Sequence, residues 1–250
     1  MRYFIEFSYN GKNYYGWQIQ PKALSVQEVL QNALATLLRT PISLVGAGRT
    51  DSGVHARQMF AHFDFQEALS ESLVHKLNSF LPQDIAVKNI YEVKPEAHAR
   101  FDALKRTYQY HIAVKKDPFL TDSSMLFTLP LSVPLMNEAC QILFYYSDFE
   151  CFSKTHTDVK TFLCQIYQAY WQQEEDQLIF TISANRFLRN MVRAVVGTLL
   201  EVGQQRLSLT GFEEVILSKK RSKAGASVPA AGLFLTEITY PSDIFIQKIN

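Results

Sequence analysis

One aspartate in this sequence stands in a setting that suits covalent chemistry. Asp51 lies in the stretch GRTDSGVHA (residues 48–56), two residues after Arg49 and four before His55, with Gly53 close by. A carboxylate held at such a turn beside a cation can act as a nucleophile. Aspartates also occur at turns simply because their side chains hydrogen-bond the local backbone. The residue types alone therefore leave a catalytic and a structural interpretation open.

Other phosphate and phosphoryl motifs do not fit this turn. The third glycine of a dinucleotide fingerprint would fall at position 51, and a predicted strand, MFAHFDF, follows where that fingerprint needs a helix. The glycine–lysine–serine/threonine sequence of a P-loop is absent. A paired-aspartate phosphoryl-transfer site would need a carboxylate at position 53, which is glycine. The turn thus offers a single carboxylate.

Composition and charge narrow the class of protein only slightly. The 250 residues include 25 Lys+Arg and 24 Asp+Glu, so the total charge does not indicate a nucleic-acid partner. Basic residues cluster within 98–116 and 180–223, which predicts either a basic face suited to a phosphate backbone or ordinary solvated helix faces. The cysteines lack metal-ligand spacing and the start lacks a signal peptide's apolar core, so we expect a cytoplasmic protein without a metal.

Hydrophobic periodicity predicts two similar halves, residues 1–104 and 105–250, each built from strands and helices. The predicted strands are RYFIEFSY, ISLVGAG, MFAHFDF, IAVKNIYEV, RTYQYHIAV, TFLCQIYQAYWQQ, QLIFTISANRF and GLFLTEITY, and the predicted helices are SVQEVLQNALATLLR, SESLVHKLNSFLP, VPLMNEACQILFYY, FLRNMVRAVVGTLLEVG and TGFEEVILSKK. Two helices carry the spacing of a capping box, Ser25 with Glu28 and Thr210 with Glu213.

One predicted helix brings arginines together. If FLRNMVRAVVGTLLEVG is helical from Phe187 onward, the spacing of Arg186, Arg189 and Arg193 puts all three on a common side, next to the apolar stripe. Such a side suits either an anionic partner or solvent. In the strand RTYQYHIAV, alternation places Tyr108 on the same side as Tyr110, which on its own favours core aromatics.

Separated motifs along the chain resemble a known family. They are YNGKNYYGWQIQ, SVQEVL, GRTDSGVHA, NSFLPQDIAV, HARFDALKRTYQYHI, ANRFLRNMVRAVVGTLLEVG and GLFLTEITYP. Together they resemble, in order and nearly end to end, the pseudouridine synthases that modify the anticodon arm of transfer RNA, the tRNA pseudouridine synthase A family. Asn10 stands where the family often has aspartate, and ASVPAAGLFL only loosely matches the usual run before the last strand.

The resemblance implies a fold and a reaction. The expected fold is α+β, with two similar halves whose mostly antiparallel sheets join into one extended mixed sheet, helices packed on it and an active-site cleft between the halves. The expected reaction is the isomerisation of uridines 38, 39 and 40 of tRNA to pseudouridine, without a metal or cofactor. A homodimer that binds one tRNA across both subunits is also implied.

The resemblance further implies roles for individual residues. Asp51 matches the catalytic aspartate, which attacks the ribose C1′ or the uracil C6, or assists elimination. Arg193 matches the arginine placed against that aspartate, and Tyr108 matches the tyrosine that contacts the substrate. Arg49 matches the arginine thought to help move the target nucleotide out of its stack.

A further set of basic residues is predicted to bind RNA. His55 is predicted either to bond the loop or to contact RNA, and Arg57 and Arg189 are predicted to contact the substrate. As a group, the predicted phosphate contacts are Arg57, Lys105, Arg106, Lys115, Lys116, Lys219, Lys220, Arg221 and Lys223. Such contacts make binding strongly salt-dependent.

Three classes of function stay open at this point: a tRNA pseudouridine synthase, a catalytically idle RNA-binding module on the same scaffold, and an unrelated hydrolase using Asp51. The intact Asp51, Tyr108 and Arg193 argue against the idle module. The absence of a second carboxylate or histidine at suitable spacing argues against the hydrolase.

Overall fold

The computed structural model describes residues 1–155 and 159–249, and it divides the chain into two compact units. The first unit contains Met1–Lys105 and Phe234–Asn250, and the second contains Arg106–Leu233. The sequence boundaries placed the last segment, Phe234–Asn250, with the second half. In the structure this segment belongs with the first unit. His156 lies outside the described residues.

The first unit is a twisted sheet with two helices. Its elements are β1 (Arg2–Tyr9), α1 (Val26–Leu38), β2 (Val45–Gly46), β3 (His55–Asp64), α2 (Leu73–Phe80), β4 (Ile85–Val93), β9 (Leu233–Thr239) and β10 (Phe245–Ile249). The strand order is β10-β4-β1-β3-β9, and only the β3–β9 pair in this path is parallel. The C-terminal strands join this unit because β9 pairs with β3 and β10 pairs with β4.

The central strand β1 is buried on both of its faces. Its five residues from Tyr3 to Phe7 are all buried, so the strand does not show the alternation of a half-exposed strand. Phe4 packs against an aromatic cluster of Phe60, Tyr240 and Phe245. This double-sided core gives the loops at the end of β1 and the start of β3 a rigid base.

The second unit is a smaller, mostly antiparallel sheet with three α-helices. Its elements are β5 (Lys105–Ala113), β6 (Met125–Leu126), α3 (Val133–Ile142), β7 (Ile166–Glu174), β8 (Gln177–Ala184), α4 (Met191–Gly203) and α5 (Leu209–Ser218). Strand β8 pairs antiparallel with both β5 and β7, and the short β6 runs parallel to β5. Helix α3 packs on β7 and α4, and α5 packs on α3 and α4.

Two predicted helix starts are wrong. Helix α4 begins at Met191, because Asn190 has the left-handed conformation, with φ of 68°, which a continuing helix does not accommodate. Arg186 and Arg189 therefore precede the helix and do not share a helical side with Arg193. Helix α5 begins at Leu209 and is capped by Ser208, whose side chain accepts from the Gly211 amide.

The second correction also removes the predicted capping box of Thr210 and Glu213. Thr210 lies within the first turn of α5, where its side chain cannot cap. Glu213 instead accepts a hydrogen bond from the Tyr146 hydroxyl. The cap predicted for α1 is confirmed, since the Ser25 hydroxyl accepts from the Glu28 amide at 3.2 Å.

Within the described residues, then, mostly antiparallel sheet is covered by five α-helices, and the predicted α+β class is confirmed. None of these helices has the length and apolar character needed to cross a bilayer.

Candidate active site

The Asp51 turn is an irregular loop between β2 and β3. Asp51 is half-buried, and its backbone carbonyl accepts a hydrogen bond from the Val54 amide at 3.2 Å, which closes the turn. Gly53 has φ of 77°, a conformation that suits glycine. Arg49 is exposed on the same loop, outside both strands.

The opening segment of the chain holds this loop through backbone hydrogen bonds. The Trp17 amide donates to the Thr50 carbonyl at 3.4 Å, and the Gly53 amide donates to the Tyr14 carbonyl at 3.3 Å. The Ser52 hydroxyl also donates to the Tyr14 carbonyl. Residues on both sides of Asp51 are therefore fixed to the YNGKNYYGW stretch, which explains why two distant motifs occur together in one sequence.

Glycine allows this close approach. Gly16 has φ of +90°, and a Cβ atom there would lie 2.3 Å from the Thr50 carbonyl oxygen. A Cβ atom at Gly11 would lie 2.0 Å from the Val54 carbonyl oxygen. Any side chain at either position would push the Asp51 loop away from the opening segment.

Replacing Gly16 with alanine should therefore destabilise the first unit and displace the loop. We expect Gly16→Ala to lower the free energy of unfolding by about 2 kcal/mol, from the left-handed backbone and the steric contact together. Thermal unfolding measures this loss. Gly48→Ala is the matched control, because a Cβ atom at Gly48 meets nothing within 4 Å. Equal unfolding midpoints for the two variants would contradict the tight fit.

His55 is a buried part of the loop's support. It is 3% exposed, its Nδ1 accepts from the Gly11 amide at 3.0 Å, and its ring stacks on Phe234 with centroids 4.6 Å apart. Because Nδ1 accepts a hydrogen bond, the ring proton is on Nε2. This hydrogen bond ties the start of β3 to the opening segment. Arg57 is exposed, with its guanidinium carbon 5.2 Å from the Phe234 ring centroid.

In the second unit, Tyr108 differs from its neighbour Tyr110 along β5. Both point to one side of the strand, but Tyr110 is fully buried and donates to the Pro229 carbonyl, whereas Tyr108 is half-buried. The Tyr108 ring packs edge-on against Phe187, with centroids 5.1 Å apart. Alternation alone favoured a core position for Tyr108, but the structure leaves this side chain partly exposed. Part of its surface can therefore meet a ligand.

Arg193 lies in the first turn of α4 and is held by a neighbouring segment. Its Nε donates to the Val228 carbonyl at 2.7 Å, and the Val228 amide donates to the Arg193 carbonyl at 3.2 Å. Burial raises the pKa of Tyr110, and the nearby positive charge of Arg193 opposes that rise. Arg193 and Tyr110 also donate to the adjacent carbonyls of Val228 and Pro229, so Arg193 is close to the hydroxyl of Tyr110.

Several of the predicted phosphate contacts have protein partners. Lys105 pairs with Glu237, Lys115 with Asp176, and Lys219 with Asp148. Arg106 donates to the Asn185 carbonyl, and Arg221 donates to the Ala224 and Gly225 carbonyls and to the Ser227 hydroxyl. Exposed pairs of this kind exchange readily, so the lysines can still contact phosphate, but the multiple bonds of Arg221 give it a structural role. Arg189 is exposed just before α4.

The residues that support the loop and Arg193 were not identified as functional from sequence. The loosely matched stretch ASVPAAGLFL contains Val228, and the glycines of YNGKNYYGW hold the Asp51 loop. In the sequence, only their membership of these two stretches indicated that they matter. In the described part of the chain, no three histidine, cysteine or acidic side chains lie together in a way that would hold a metal ion.

Comparison with known proteins places the chain in a family. A model of the tRNA pseudouridine synthase family matches residues 6–102 and 139–241, which include Asp51 and Arg193 but not Tyr108. The chain is 57% identical to the tRNA pseudouridine synthase A of Parabacteroides distasonis, with 98% of each chain covered. It is 53% identical to that of Bacteroides fragilis, with 98% of each covered. It is also 36% identical to that of Clostridium acetobutylicum, covering 94% of this chain and 98% of the relative. The chain therefore belongs to the tRNA pseudouridine synthase A family of isomerases, as its motifs predicted.

Proposed function

We propose that this protein converts uridines 38, 39 and 40 in the anticodon arm of tRNA to pseudouridine, with Asp51 as the nucleophile. The observation that carries the proposal is the Asp51 turn, in which a half-buried carboxylate sits on a loop fixed at Thr50, Ser52 and Gly53. A carboxylate on a rigid loop is positioned for attack before the substrate arrives.

The reaction is an isomerisation that needs no oxidant and no second substrate. The bond between N1 of uracil and C1′ of ribose breaks, the base turns, and a bond forms between C5 and C1′. The proton lost from C5 is balanced by the proton gained at N1. Asp51 supplies the negative charge that the sugar or the base needs while the glycosidic bond is open, by attack at C1′ or C6 or by assisting elimination.

Arg193 is proposed to keep the Asp51 carboxylate charged while the target base covers it. A carboxylate buried beside a nucleobase tends to take up a proton, and a nearby guanidinium opposes this. The support is local. The Val228 carbonyl accepts a hydrogen bond from the Arg193 Nε, and this bond fixes the direction in which the guanidinium points.

Tyr108 is proposed to stack on the target base and to carry the proton released at C5. Its ring is half-buried and supported from one side by Phe187, which is the arrangement that an aromatic stacking platform needs. Stacking offsets part of the free-energy cost of moving the uridine out of the helix.

RNA binding is assigned to the exposed arginines. Arg49, on the Asp51 loop, is proposed to help move the nucleotide out of its stack, and Arg57 and Arg189 are proposed to contact the substrate; all three are exposed. We propose a homodimer that binds one tRNA across both subunits, acting in the cytoplasm, where its tRNA substrate would meet it. The buried free thiols of Cys140, Cys151 and Cys164 are in keeping with a reducing compartment.

Mapping of the modified positions tests this proposal. The purified protein should convert uridines 38–40 of an unmodified tRNA transcript, and carbodiimide-dependent stops of reverse transcription should appear at those positions. A transcript with cytidine at all three positions is the control and should show no stops in the anticodon arm. Stops confined to another arm of the tRNA would contradict the proposed target.

A further inference from the structure

We propose that Arg221 is a positioning residue for Arg193, acting through the segment of residues 224–229, and is not one of the phosphate contacts. This inference rests on the proposed role of Arg193 in the reaction. It concerns only residues of the second unit, and each step follows from a contact among them.

The first step is the bond that fixes Arg193. Its side-chain Nε donates to the Val228 carbonyl at 2.7 Å, and its own carbonyl accepts from the Val228 amide at 3.2 Å. This reciprocal pair ties the guanidinium and the first turn of α4 to the same backbone unit. The direction of the Arg193 side chain therefore depends on where the 224–229 segment lies.

The second step is the fit of that segment on α4. A Cβ atom at Gly197 would lie 1.7 Å from the Ala226 carbonyl oxygen, and one at Gly225 would lie 2.8 Å from the Gly197 carbonyl oxygen. The Gly225 amide also donates to the Thr198 hydroxyl at 2.9 Å. Gly197 follows Arg193 by one helical turn, so the helix face that presents Arg193 is the face on which the segment rests.

The third step is the role of Arg221 itself. Its Nη1 donates to the Ala224 and Gly225 carbonyls at 3.2 and 3.0 Å, and its Nη2 donates to the Ser227 hydroxyl at 2.8 Å. A planar fork with several donors can bridge three acceptors in this way, whereas a lysine ammonium acts as a point charge. Because the 224–229 segment is irregular, it has no ladder of strand or helix bonds to define its path. The hydrogen bonds from Arg221 therefore hold the backbone of this segment in place.

A second side chain, that of Asn190, also bonds the 224–229 segment. The Asn190 amide nitrogen donates to the Ser227 hydroxyl at 2.6 Å, and Asn190 is the left-handed residue just before α4. The Ser227 hydroxyl thus accepts hydrogen bonds from both Arg221 and Asn190. Asn190 precedes Arg193 by three residues. Removing the Ser227 hydroxyl loosens both connections with no change of charge.

The two roles of Arg221 predict different results. If Arg221 contacted phosphate, Arg221→Lys would be nearly neutral and Arg221→Gln would weaken tRNA binding and lower its salt dependence by about one ion. If Arg221 is a positioning residue, Arg221→Lys and Ser227→Ala should each lower the single-turnover rate roughly 10- to 100-fold. Misplacement of a catalytic group by about 1 Å lowers a rate by this much. The tRNA dissociation constant should stay within about twofold.

Arg206→Lys is the matched control, since Arg206 also makes a forked pair, with Glu201, at an exposed site, and neither residue bonds the 224–229 segment among the interactions described. It should leave rate and binding unchanged. An Arg221→Lys variant with wild-type rate, or one that weakens tRNA binding without slowing turnover, would overturn the proposal.

A second measurement does not depend on activity. In nitrogen–proton correlation spectra, the Nε–H signal of Arg193, assigned by its loss in Arg193→Leu, should be protected from solvent exchange by the Val228 carbonyl. It should lose that protection in Arg221→Lys and Ser227→Ala but keep it in Arg206→Lys. Retained protection in both segment variants would refute the positioning role, whereas an inactive wild type with these spectral changes would refute only the proposed reaction.

Discussion

The variant Asp51→Asn should bind tRNA normally and form no measurable pseudouridine. Asparagine has the shape of aspartate but neither its charge nor its nucleophilic strength, and removal of a nucleophile commonly lowers turnover by roughly 10⁴-fold or more. The loop should keep its form, because the substitution leaves the backbone hydrogen bonds of Thr50, Asp51 and Gly53 in place. Single-turnover assays with excess enzyme, together with a tRNA binding assay, separate these two effects.

Asp243→Asn is the matched control for this substitution. Asp243 is exposed and pairs only with Lys94 among the interactions described, so its amide variant tests the same chemical change away from the proposed site. Its rate should match the wild type. Residual turnover of Asp51→Asn within about tenfold of wild type would remove Asp51 from the chemistry.

The variant Arg193→Leu should lose several orders of magnitude in rate. Leucine keeps the helix and fills similar space, but it leaves the Asp51 carboxylate without its proposed cation and the Val228 carbonyl without its donor. The unpaired carbonyl alone should cost about 1–3 kcal/mol of stability, which thermal unfolding measures. The rate must therefore be measured well below the unfolding midpoint of the variant.

Two companion variants separate charge from fold. Arg206→Leu removes an exposed arginine with its forked pair and should leave the rate unchanged. Arg193→Lys keeps the positive charge but not the fork and should retain more activity than Arg193→Leu. An Arg193→Leu variant that turns over at the wild-type rate would show that another cation serves Asp51.

Sequence predicted elements best where local signals agreed. Strand β4 has the bounds of its sequence prediction, because alternation and the preceding Pro82 point to the same segment. Helix α1 begins after Ser25, as the capping box indicated. In both places, propensity, periodicity and end signals all favour one structure.

Sequence failed where a tertiary contact decided the backbone. Asn190 takes a left-handed conformation and bonds Ser227, a residue far along the chain, so α4 starts later than its apolar pattern suggests. Strand β10 was not predicted, since it forms by pairing with β4 and by packing of Phe245 on Phe4. Such partners are invisible to a local pattern.

The candidate site shows the same division. The position of Asp51 at a tight turn follows from GRTDSGVHA alone, but its support by Gly16 and Tyr14 depends on contacts that only the fold reveals. Arg221 was grouped with phosphate contacts because a sequence shows its charge but not its three acceptors.

A crystal structure of the Asp51→Asn variant with an unmodified anticodon stem-loop tests the central claim most directly. We expect uridine 39 to be turned out of its stack, with its C1′ or C6 within about 4 Å of the side-chain oxygen of residue 51. Arg193 and Tyr108 should contact the same nucleotide. A complex in which uridine 39 remains stacked while residue 51 faces only solvent would contradict the account.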